Sequence, residues 1–334
     1  MKRREFILSL AGTAAVAGWT GWRIGSTDTA AGTLAKHSRS STALGAEVRL
    51  TVFHRDRKAA SRALDEAFAE LDRIENILSL YRAESEICTL NRAGFLARAD
   101  PSFLEVLRTA NRMSALTDGA FDITVQPLYR LHAERASEGK TPDRTELAET
   151  LARVGWNRVQ VSGKSIHLEG KGTEITLNGI AQGFAADAVG RVLREHGIAH
   201  AFIDTGEVGT VGAKVTDQEW TVGIRHPRDK AGLLTIARLN GRSLATSGDY
   251  ETRFGEDYHS HHLLDPRTGQ SPAELASVSV VAPTAMEADA LSTAVFLTGA
   301  EKGHRIIEAI ADADALFVTK SGHITKTAGF PAAT

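Results

Sequence analysis

The segment "PTAMEADALSTAVF", residues 283–296, places a carboxylate and a hydroxyl four residues apart. If this segment is a helix capped by Thr284, then Asp289 and Thr293 lie four residues apart and share one face. Oxygen ligands of these two types suit magnesium and not zinc. The same spacing also permits a short hydrogen bond within an ordinary helix, and the two residues alone do not decide between these interpretations.

Three histidines stand close together in "HSHHLLDPRTGQSP", residues 259–272. Their spacing does not match a helical zinc motif, and on an alternating strand His259 and His261 would share one face while His262 takes the other. A lone His262 beside Asp265 could form an acid–base pair. The alternative is a surface turn without a catalytic group.

The stretch "TLNGIAQGFAADAVG", residues 176–190, leads from a β-branched approach into an alanine-rich segment typical of a helix. Free backbone N–H groups at the start of a helix attract anions, phosphate in particular. The stretch is therefore either a phosphate cradle or an ordinary strand-to-helix connection that contains glycines. Tyr81 offers a similar choice, because an aromatic residue after a long helix either caps the core or stacks on a ligand.

Hydrophobic spacing predicts the elements that must position these residues. Apolar residues recur with a helical period from Arg57 to Leu80, and Asp100-Pro101 has the sequence of a helix start that runs to Leu116. Helices early in the chain and antiparallel-looking strands later indicate an α+β fold. Further helices are predicted at 127–137, 144–153, 180–196, 284–297 and 300–311, and strands at 46–54, 157–161, 165–168, 174–177, 200–204, 208–214, 220–225, 233–239, 276–282 and 313–318.

The composition bounds the class of protein. The 334 residues are 42% hydrophobic and 24% charged, as in a globular protein with a sizeable core. Lys and Arg number 39 and Asp and Glu 41, for a formal net charge of −2, which gives no support for nucleic-acid binding. We therefore expect small molecules or proteins as partners. The one cysteine, Cys88, leaves no internal disulfide and no cysteine-based metal site.

The N-terminus has the sequence of an export signal. "MKRREFILSLAGTAAVAGW" begins with Lys2-Arg3-Arg4 and continues into an apolar run that is too short for a good membrane span. Paired arginines, a polar residue and then Phe-Ile resemble a bacterial twin-arginine signal, with a generic signal or a single N-terminal anchor as alternatives. We predict an export signal and flexible leader over 1–36, a single domain over 37–334 and a periplasmic location. Residues 26–42 are expected to be a flexible remnant.

Six ordered motifs across residues 43–297 resemble those of the ApbE family, the FAD:protein FMN transferases. They are "LSLYRAESEICTLN", "DGAFDITVQPL", "TLNGIAQGFAAD", "ATSGDY", "HHLLDPRTGQSP" and "EADALSTA". The resemblance implies a T-fold-like domain that uses Mg²⁺ to split FAD, attaches FMN to a Thr or Ser hydroxyl of a target flavoprotein and releases AMP. Because "LNGIAQGF" and the leader are similar to the NosX branch, it also implies a membrane-anchored, NosR-like acceptor of nitrous oxide respiration.

The resemblance assigns roles to individual positions. It implies that His262 deprotonates the acceptor hydroxyl, and that Asp289 and Thr293 bind Mg²⁺ together with the carbonyl of Gly179. The positions that it implies for FAD binding are Leu44, Tyr81, Ala120, Phe121, Asp122, Thr176, Gln182, Ser247 and Asp265.

Two positions of the cradle stretch depart from the family pattern. Thr176 stands where the family has Asp, and Gln182 stands where it has Lys or sometimes Glu. Thr205-Gly206-Glu207 likewise replaces a Gly-Gly-Asp sequence. Since two charged contacts to FAD become neutral, two alternatives to transfer stay open. One is an FAD pyrophosphatase that yields FMN and AMP without an acceptor, and the other is a non-catalytic FAD-binding maturation factor.

Overall fold

A computed structural model describes residues 34–215 and 218–333, so the predicted twin-arginine signal lies outside the described residues. No helix in these two ranges is long and apolar enough to cross a membrane. The helices are α1 (Arg57–Leu78), α2 (Glu86–Ala93), α3 (Pro101–Leu116), α4 (Gln126–Ser137), α5 (Arg144–Leu151), α6 (Ala181–Glu195), α7 (Ala285–Thr298) and α8 (Ala300–Glu308). The strands are β1 (Ala35–Ala43), β2 (Ala46–His54), β3 (Phe95–Leu96), β4 (Val159–Ser162), β5 (Ser165–Leu168), β6 (His200–Asp204), β7 (Val208–Val211), β8 (Thr221–His226), β9 (Asp229–Arg238), β10 (Ser243–Gly248), β11 (Leu275–Ala282), β12 (Asp314–Thr319) and β13 (Ile324–Lys326).

Eight strands form a central sheet in the order β1-β2-β6-β7-β10-β11-β12-β13. Every neighbouring pair in this sheet is antiparallel. A three-stranded sheet, β3-β5-β4, and the separate hairpin β8-β9 accompany it in the described part of the chain. Antiparallel sheets combined with helices confirm the predicted α+β class.

The central sheet is covered on both faces around β11. Helices α1, α6 and α7 pack together against one face, where Val278 and Val280 of β11 join their core. Ala276 and Val281 of the same strand enter a second core beneath the β8–β9 hairpin. β11 is therefore buried along its whole length. The layer of α6 and α7 matters for function, because both helices carry candidate site residues into the interior.

Helix starts and apolar spacing are the best-predicted features of the fold. The buried residues of α1 follow the expected helical period, and its N-cap Asp56 accepts hydrogen bonds from the N–H groups of Lys58 and Ala59. Asp100 caps α3 with Pro101 in its first turn, as predicted. Thr284 caps α7 by accepting a hydrogen bond from the N–H of Glu287. Local side-chain chemistry is sufficient to set these boundaries.

Residues 174–177 do not form the predicted strand. The side-chain amide of Asn91 donates to the carbonyl of Ile175 at 2.9 Å and accepts from its N–H at 2.8 Å. The N–H of Thr176 donates to the carbonyl of Ile123 at 2.8 Å. Because a side chain and a loop satisfy these main-chain groups, the segment approaches α6 without a partner strand.

Strand β1 corrects the expectation of a flexible remnant over 26–42 for residues 35–42, while residues 26–33 lie outside the described residues. It begins at Ala35 and pairs antiparallel with β2 through to Ala43. The hydroxyl of Ser38 donates to the carbonyl of Leu50 at 3.2 Å and lies 2.9 Å from the hydroxyl of Thr51. Small polar residues suit the water-facing side of this edge strand. The Ser- and Thr-rich composition, which is also typical of a linker, here occurs in a strand of the sheet.

Candidate active site

One cavity brings together most of the predicted site residues. Its volume is about 310 Å³, and its wall includes the β1–β2 turn, the segment after α1, residues 121–129, the turn before α6 and parts of β8, β10 and α7. Motifs that are far apart in the sequence therefore meet at one place. The predicted residues that line it are Leu44, Tyr81, Phe121, Asp122, Thr176, Gly179, Gln182, Ser247, His262, Asp289 and Thr293.

The face of α7 that carries Asp289 and Thr293 packs against the glycine turn before α6. Asp289 is 3% exposed, and its carboxylate accepts the N–H of Gly183 at 2.9 Å. A Cβ added to Gly179 would lie 2.9 Å from the Thr293 hydroxyl oxygen, so glycine permits this close approach. The main chain of Gly179, the hydroxyl of Thr293 and the carboxylate of Asp289 are thus collected along one side of the cavity.

These oxygen donors fit a hard divalent cation such as Mg²⁺. Burial raises the pKa of Asp289 to about 7, and the negative charge of Asp187 acts in the same direction. A carboxylate that burial disfavours in its charged form is stabilised when a cation binds beside it. In the two described ranges, no group of three or more His, Cys, Asp or Glu side chains could hold a metal. An ion here would therefore also need hydroxyl and main-chain oxygens.

The hydroxyl of Thr293 is hydrogen-bonded to Ser247, which is in turn hydrogen-bonded to Ser292. Ser247 Oγ on β10 lies 3.0 Å from Thr293 Oγ1 and 2.8 Å from Ser292 Oγ. Ser292 in turn donates to the carbonyl of Asp289 at 2.9 Å. This buried network orients the Thr293 hydroxyl before any ligand arrives and joins α7 to the central sheet.

A substitution in α6 tests how tightly the glycine turn must pack on α7. We expect Gly183→Ala to lower the Tm, because its Cβ would lie 2.2 Å from the carbonyl oxygen of Ala285 and 2.8 Å from the Cβ of Asp289. Overpacking of this kind costs about 1–3 kcal/mol. Gly190→Ala in the same helix is the matched control, since its nearest neighbour would be Ile203 at 3.4 Å. Equal melting temperatures for the two variants would contradict the packing described here.

His262 lines the cavity with only one ring nitrogen engaged. Its Nδ1 lies 3.2 Å from the carbonyl oxygen of Thr252, and since a carbonyl can only accept, Nδ1 carries the proton. Burial lowers the pKa of His262 to about 4, so the ring is neutral near pH 7. Nε2 makes no hydrogen bond to the described residues and remains an acceptor, which is the state that a general base requires.

Asp265 and Ala120, two of the positions predicted for FAD binding, do not line the cavity. Both carboxylate oxygens of Asp265 accept hydrogen bonds from Arg267, at 2.8 and 2.7 Å. Its carbonyl accepts from the N–H of Gly269, so the aspartate stabilises a turn and does not pair with His262. Ala120 is fully buried in the main core. Their motifs position neighbouring residues, and the two side chains themselves do not contact the cavity.

An exposed aromatic ring stands at the cavity wall. Tyr81 is 55% exposed, which shows that the core-cap interpretation was wrong. Its ring packs beside the β1–β2 turn, where a Cβ on Gly45 would lie 3.3 Å from Tyr81 Cε2. Leu44 in this turn has a φ of 53°, and its N–H donates to Glu75 Oε1 at 2.8 Å. An exposed ring fixed beside a cavity is suited to stack on a flat ligand.

The two departures from the family pattern both lie in the cavity wall. The side chain of Gln182 packs on Gly206, where an added Cβ would lie 2.7 Å from Gln182 Nε2. The main-chain carbonyl of Gln182 accepts a hydrogen bond from the hydroxyl of Thr205 at 2.9 Å. The hydroxyl of Thr176 accepts the N–H of Asn178 at 3.3 Å. Gln182 thus contacts the other divergent segment, residues 205–207, so the substitutions are neighbours in space.

Three acidic residues and one arginine of the described cavity wall were not assigned from the motifs: Asp204, Glu207, Glu251 and Arg225. Burial raises the pKa of Asp204 to about 6 and that of Glu207 well above its usual range, where Asp289 adds a like charge. Nη2 of Arg225 donates to Glu251 Oε1 at 2.9 Å. Glu207 replaces the family's Asp and Glu251 follows "ATSGDY", so the sequence held a signal for both. Arg225 lies in β8, and no motif in the sequence around it indicated that it would reach the cavity.

Comparisons with known proteins identify the family of this chain. The model of the ApbE family matches residues 44–317. This chain belongs to the ApbE family. Similar relatives include the FAD:protein FMN transferase of Klebsiella pneumoniae (strain 342), which is 32% identical over 297 residues, covering 86% of this chain and 90% of that protein. The protein of the same name from Treponema pallidum (strain Nichols) is 31% identical over 319 residues, covering 88% and 87%.

Solved structures of the ApbE family share the fold. The apo form of the Pseudomonas stutzeri flavinyl transferase ApbE gives a TM-score of 0.79 at 27% identity, covering 90% of this chain and 99% of that one. The ApbE protein of Thermotoga maritima gives a TM-score of 0.80 at 27% identity, with coverages of 88% and 97%. The predicted ApbE-type α+β fold is therefore confirmed. Assignment to the NosX branch stays a prediction.

Proposed function

We propose that this chain is a Mg²⁺-dependent FAD:protein FMN transferase. The observation that carries the proposal is one cavity with two kinds of group. It contains a neutral histidine with a free acceptor nitrogen, His262, and an oxygen donor set built from Asp289, Thr293 and the Gly179 main chain. Relatives that match most of the chain carry the name FAD:protein FMN transferase, which supports the same activity.

FAD would be held by elements at different parts of the cavity wall. Tyr81 offers an exposed ring to a flat ring system, and Leu44 lines the adjoining turn. The start of α6 lines the cavity with Ala181 and Gln182. The N–H groups of Ala181 and Gly183 already donate to the carbonyl of Leu177 and the carboxylate of Asp289, so within the described residues the N–H of Gln182 is the one left in this turn of the helix for a pyrophosphate oxygen. We therefore propose that this stretch contributes to a phosphate cradle through the N–H of Gln182.

The chemistry then follows from the protonation state of His262. Its Nε2 accepts the proton of the acceptor hydroxyl, while Thr252 holds the ring through Nδ1. The hydroxyl oxygen forms a bond to the FMN phosphorus, and the bond from that phosphorus to the bridging oxygen breaks, so AMP leaves. Mg²⁺, when bound by Asp289, Thr293 and Gly179, supplies charge neutralisation for the pyrophosphate and polarises the breaking bond.

The acceptor and the compartment are proposed from the sequence. The twin-arginine-like start "MKRREFIL" supports export to the periplasm, and "LNGIAQGF" supports a NosX-like role. We therefore propose a Thr or Ser of a periplasmic domain in a membrane-anchored, NosR-like flavoprotein as the acceptor.

The proposed function is tested by incubating the protein without its leader with FAD, Mg²⁺ and a NosR-like flavoprotein domain. An FMN mass adduct on the acceptor together with AMP supports transfer, and the adduct should vanish when the acceptor Thr is replaced by Val or when a chelator is added. AMP and FMN without an adduct would instead support an FAD pyrophosphatase. FAD binding without either product would support a non-catalytic maturation factor and contradict the proposal.

A further inference from the structure

The cavity is unusually rich in carboxyl groups for a site that takes a dianionic pyrophosphate. Five line it: Asp122, Asp204, Glu207, Glu251 and Asp289. His262 adds no charge near neutral pH. The cavity therefore has a deficit of positive charge that one divalent cation beside Asp289 compensates only locally.

Among the described residues that line the cavity, Arg225 is the one permanently charged cation. It lies on β8, and its side chain is 27% exposed. Nη2 donates to Glu251 Oε1 at 2.9 Å, and the guanidinium carbon lies 5.9 Å from the centre of the Tyr250 ring. Because a guanidinium has five N–H donors and only this hydrogen bond is found among the described residues, most of its donors are free for a ligand.

The guanidinium of Arg225 and the imidazole of His262 are held by two consecutive residues of the cavity wall. Glu251, which holds Arg225, is followed directly by Thr252, whose carbonyl holds Nδ1 of His262. Adjacent residues are about 3.8 Å apart at their Cα atoms. In the proposed transfer the acceptor oxygen that His262 deprotonates bonds to the phosphorus under attack, which would place that phosphate beside this part of the wall.

We propose that Arg225 binds the flavin-side phosphate of FAD and stabilises the charge that develops on its oxygens during transfer. The inference rests on the proposed function. As the acceptor oxygen bonds to phosphorus and the AMP oxygen departs, the proton moves to Nε2 of His262 and negative charge spreads over the non-bridging oxygens. A planar guanidinium donates to two such oxygens at once, which an ammonium group cannot reproduce. Glu251 is then a positioning residue that fixes the orientation of Arg225.

Arg225→Gln tests this role in single-turnover transfer at saturating FAD and Mg²⁺. We expect the rate to fall by about 10²–10³-fold, as for loss of one donor to a developing oxyanion, with a smaller effect on FAD affinity. Arg225→Lys should recover only part of the rate. Arg238→Gln on the same hairpin is the matched control, because Arg238 is exposed and does not line the cavity. It should transfer at the wild-type rate.

Chemical rescue separates a phosphate contact from a purely structural role. Added ethylguanidinium should accelerate transfer by Arg225→Ala and leave the wild-type rate unchanged, since a free guanidinium can enter the vacated space. Glu251→Gln keeps the Arg225 side chain and should cause a smaller loss than Arg225→Gln. Wild-type transfer by Arg225→Gln, or equal loss in both variants without rescue, would overturn the inference. If the wild-type protein itself forms no adduct, the proposed function fails instead.

Discussion

We expect Asp289→Asn to abolish Mg²⁺-dependent FMN transfer while the fold is retained. The side chain keeps its shape and an oxygen for the N–H of Gly183, but it loses the charge that the cation needs. Loss of metal-based charge stabilisation, worth several kcal/mol, corresponds to a rate loss of about 10²–10⁴-fold. The measurement is single-turnover formation of the FMN adduct over a Mg²⁺ titration.

The same variant has an expected effect on stability that distinguishes a metal site from a misfolded protein. Burial holds the pKa of Asp289 near 7, above its ordinary value of 3.8, so ionising it costs folding free energy as the pH rises through this window. Without metal, Asp289→Asn should therefore melt higher than wild type at pH 8 and equally at pH 4. Added Mg²⁺ should raise the Tm of wild type only.

The control for both experiments is Asp65→Asn, an exposed aspartate on α1 that pairs with Arg39. This variant should match wild type in transfer and in its response to Mg²⁺. Full Mg²⁺-dependent activity in Asp289→Asn would refute the metal assignment. A lower melting temperature without metal at pH 8 would show that the carboxylate has a structural role instead.

His262→Gln is expected to slow transfer by about 10²–10⁴-fold, the usual contribution of a general base. Glutamine can still donate to the carbonyl of Thr252 but cannot take a proton from the acceptor hydroxyl. His259→Gln is the matched control, because His259 is exposed and does not line the cavity. A rate within a few-fold of wild type would show that His262 is not the base.

The pH profile gives an independent test of the same assignment. The pKa of His262 is depressed to about 4, so the base stays neutral and active as the pH falls. With Mg²⁺ saturating, kcat/KM should be level from pH 8 to about pH 5 and fall only below that. At limiting Mg²⁺ a second inflection near pH 7 should appear, because protons compete with the metal at Asp289. It should move to lower pH as Mg²⁺ is raised.

Local signals in the sequence were sufficient for much of the fold and for the helix that carries Asp289 and Thr293. Thr284 and the spacing of Asp289 and Thr293 predicted a capped helix with both residues on one face, and α7 has this form. Asp100-Pro101 predicted the start of α3 in the same way. Capping and helical periodicity act over a few residues, which is why they can be read directly from the chain.

The features that were missed depend on contacts between distant segments. Residues 174–177 have strand-like composition, but Asn91, far away in the sequence, satisfies the main chain of Ile175. Asp265 seemed a partner for His262 because of its position, yet Arg267 and the turn occupy it. Arg225 reaches the cavity from a hairpin on the other face of the sheet, and no local pattern predicts such an approach.

The stoichiometry of products in a single turnover distinguishes FMN transfer from simple cleavage of FAD. Leaderless protein, FAD, Mg²⁺ and the NosR-like acceptor domain are mixed, and AMP, free FMN and the flavinylated acceptor are quantified together. We expect AMP and acceptor-bound FMN in equal amounts, with no free FMN, and neither product with Asp289→Asn. AMP matched by free FMN, with the acceptor unmodified, would contradict the proposed function.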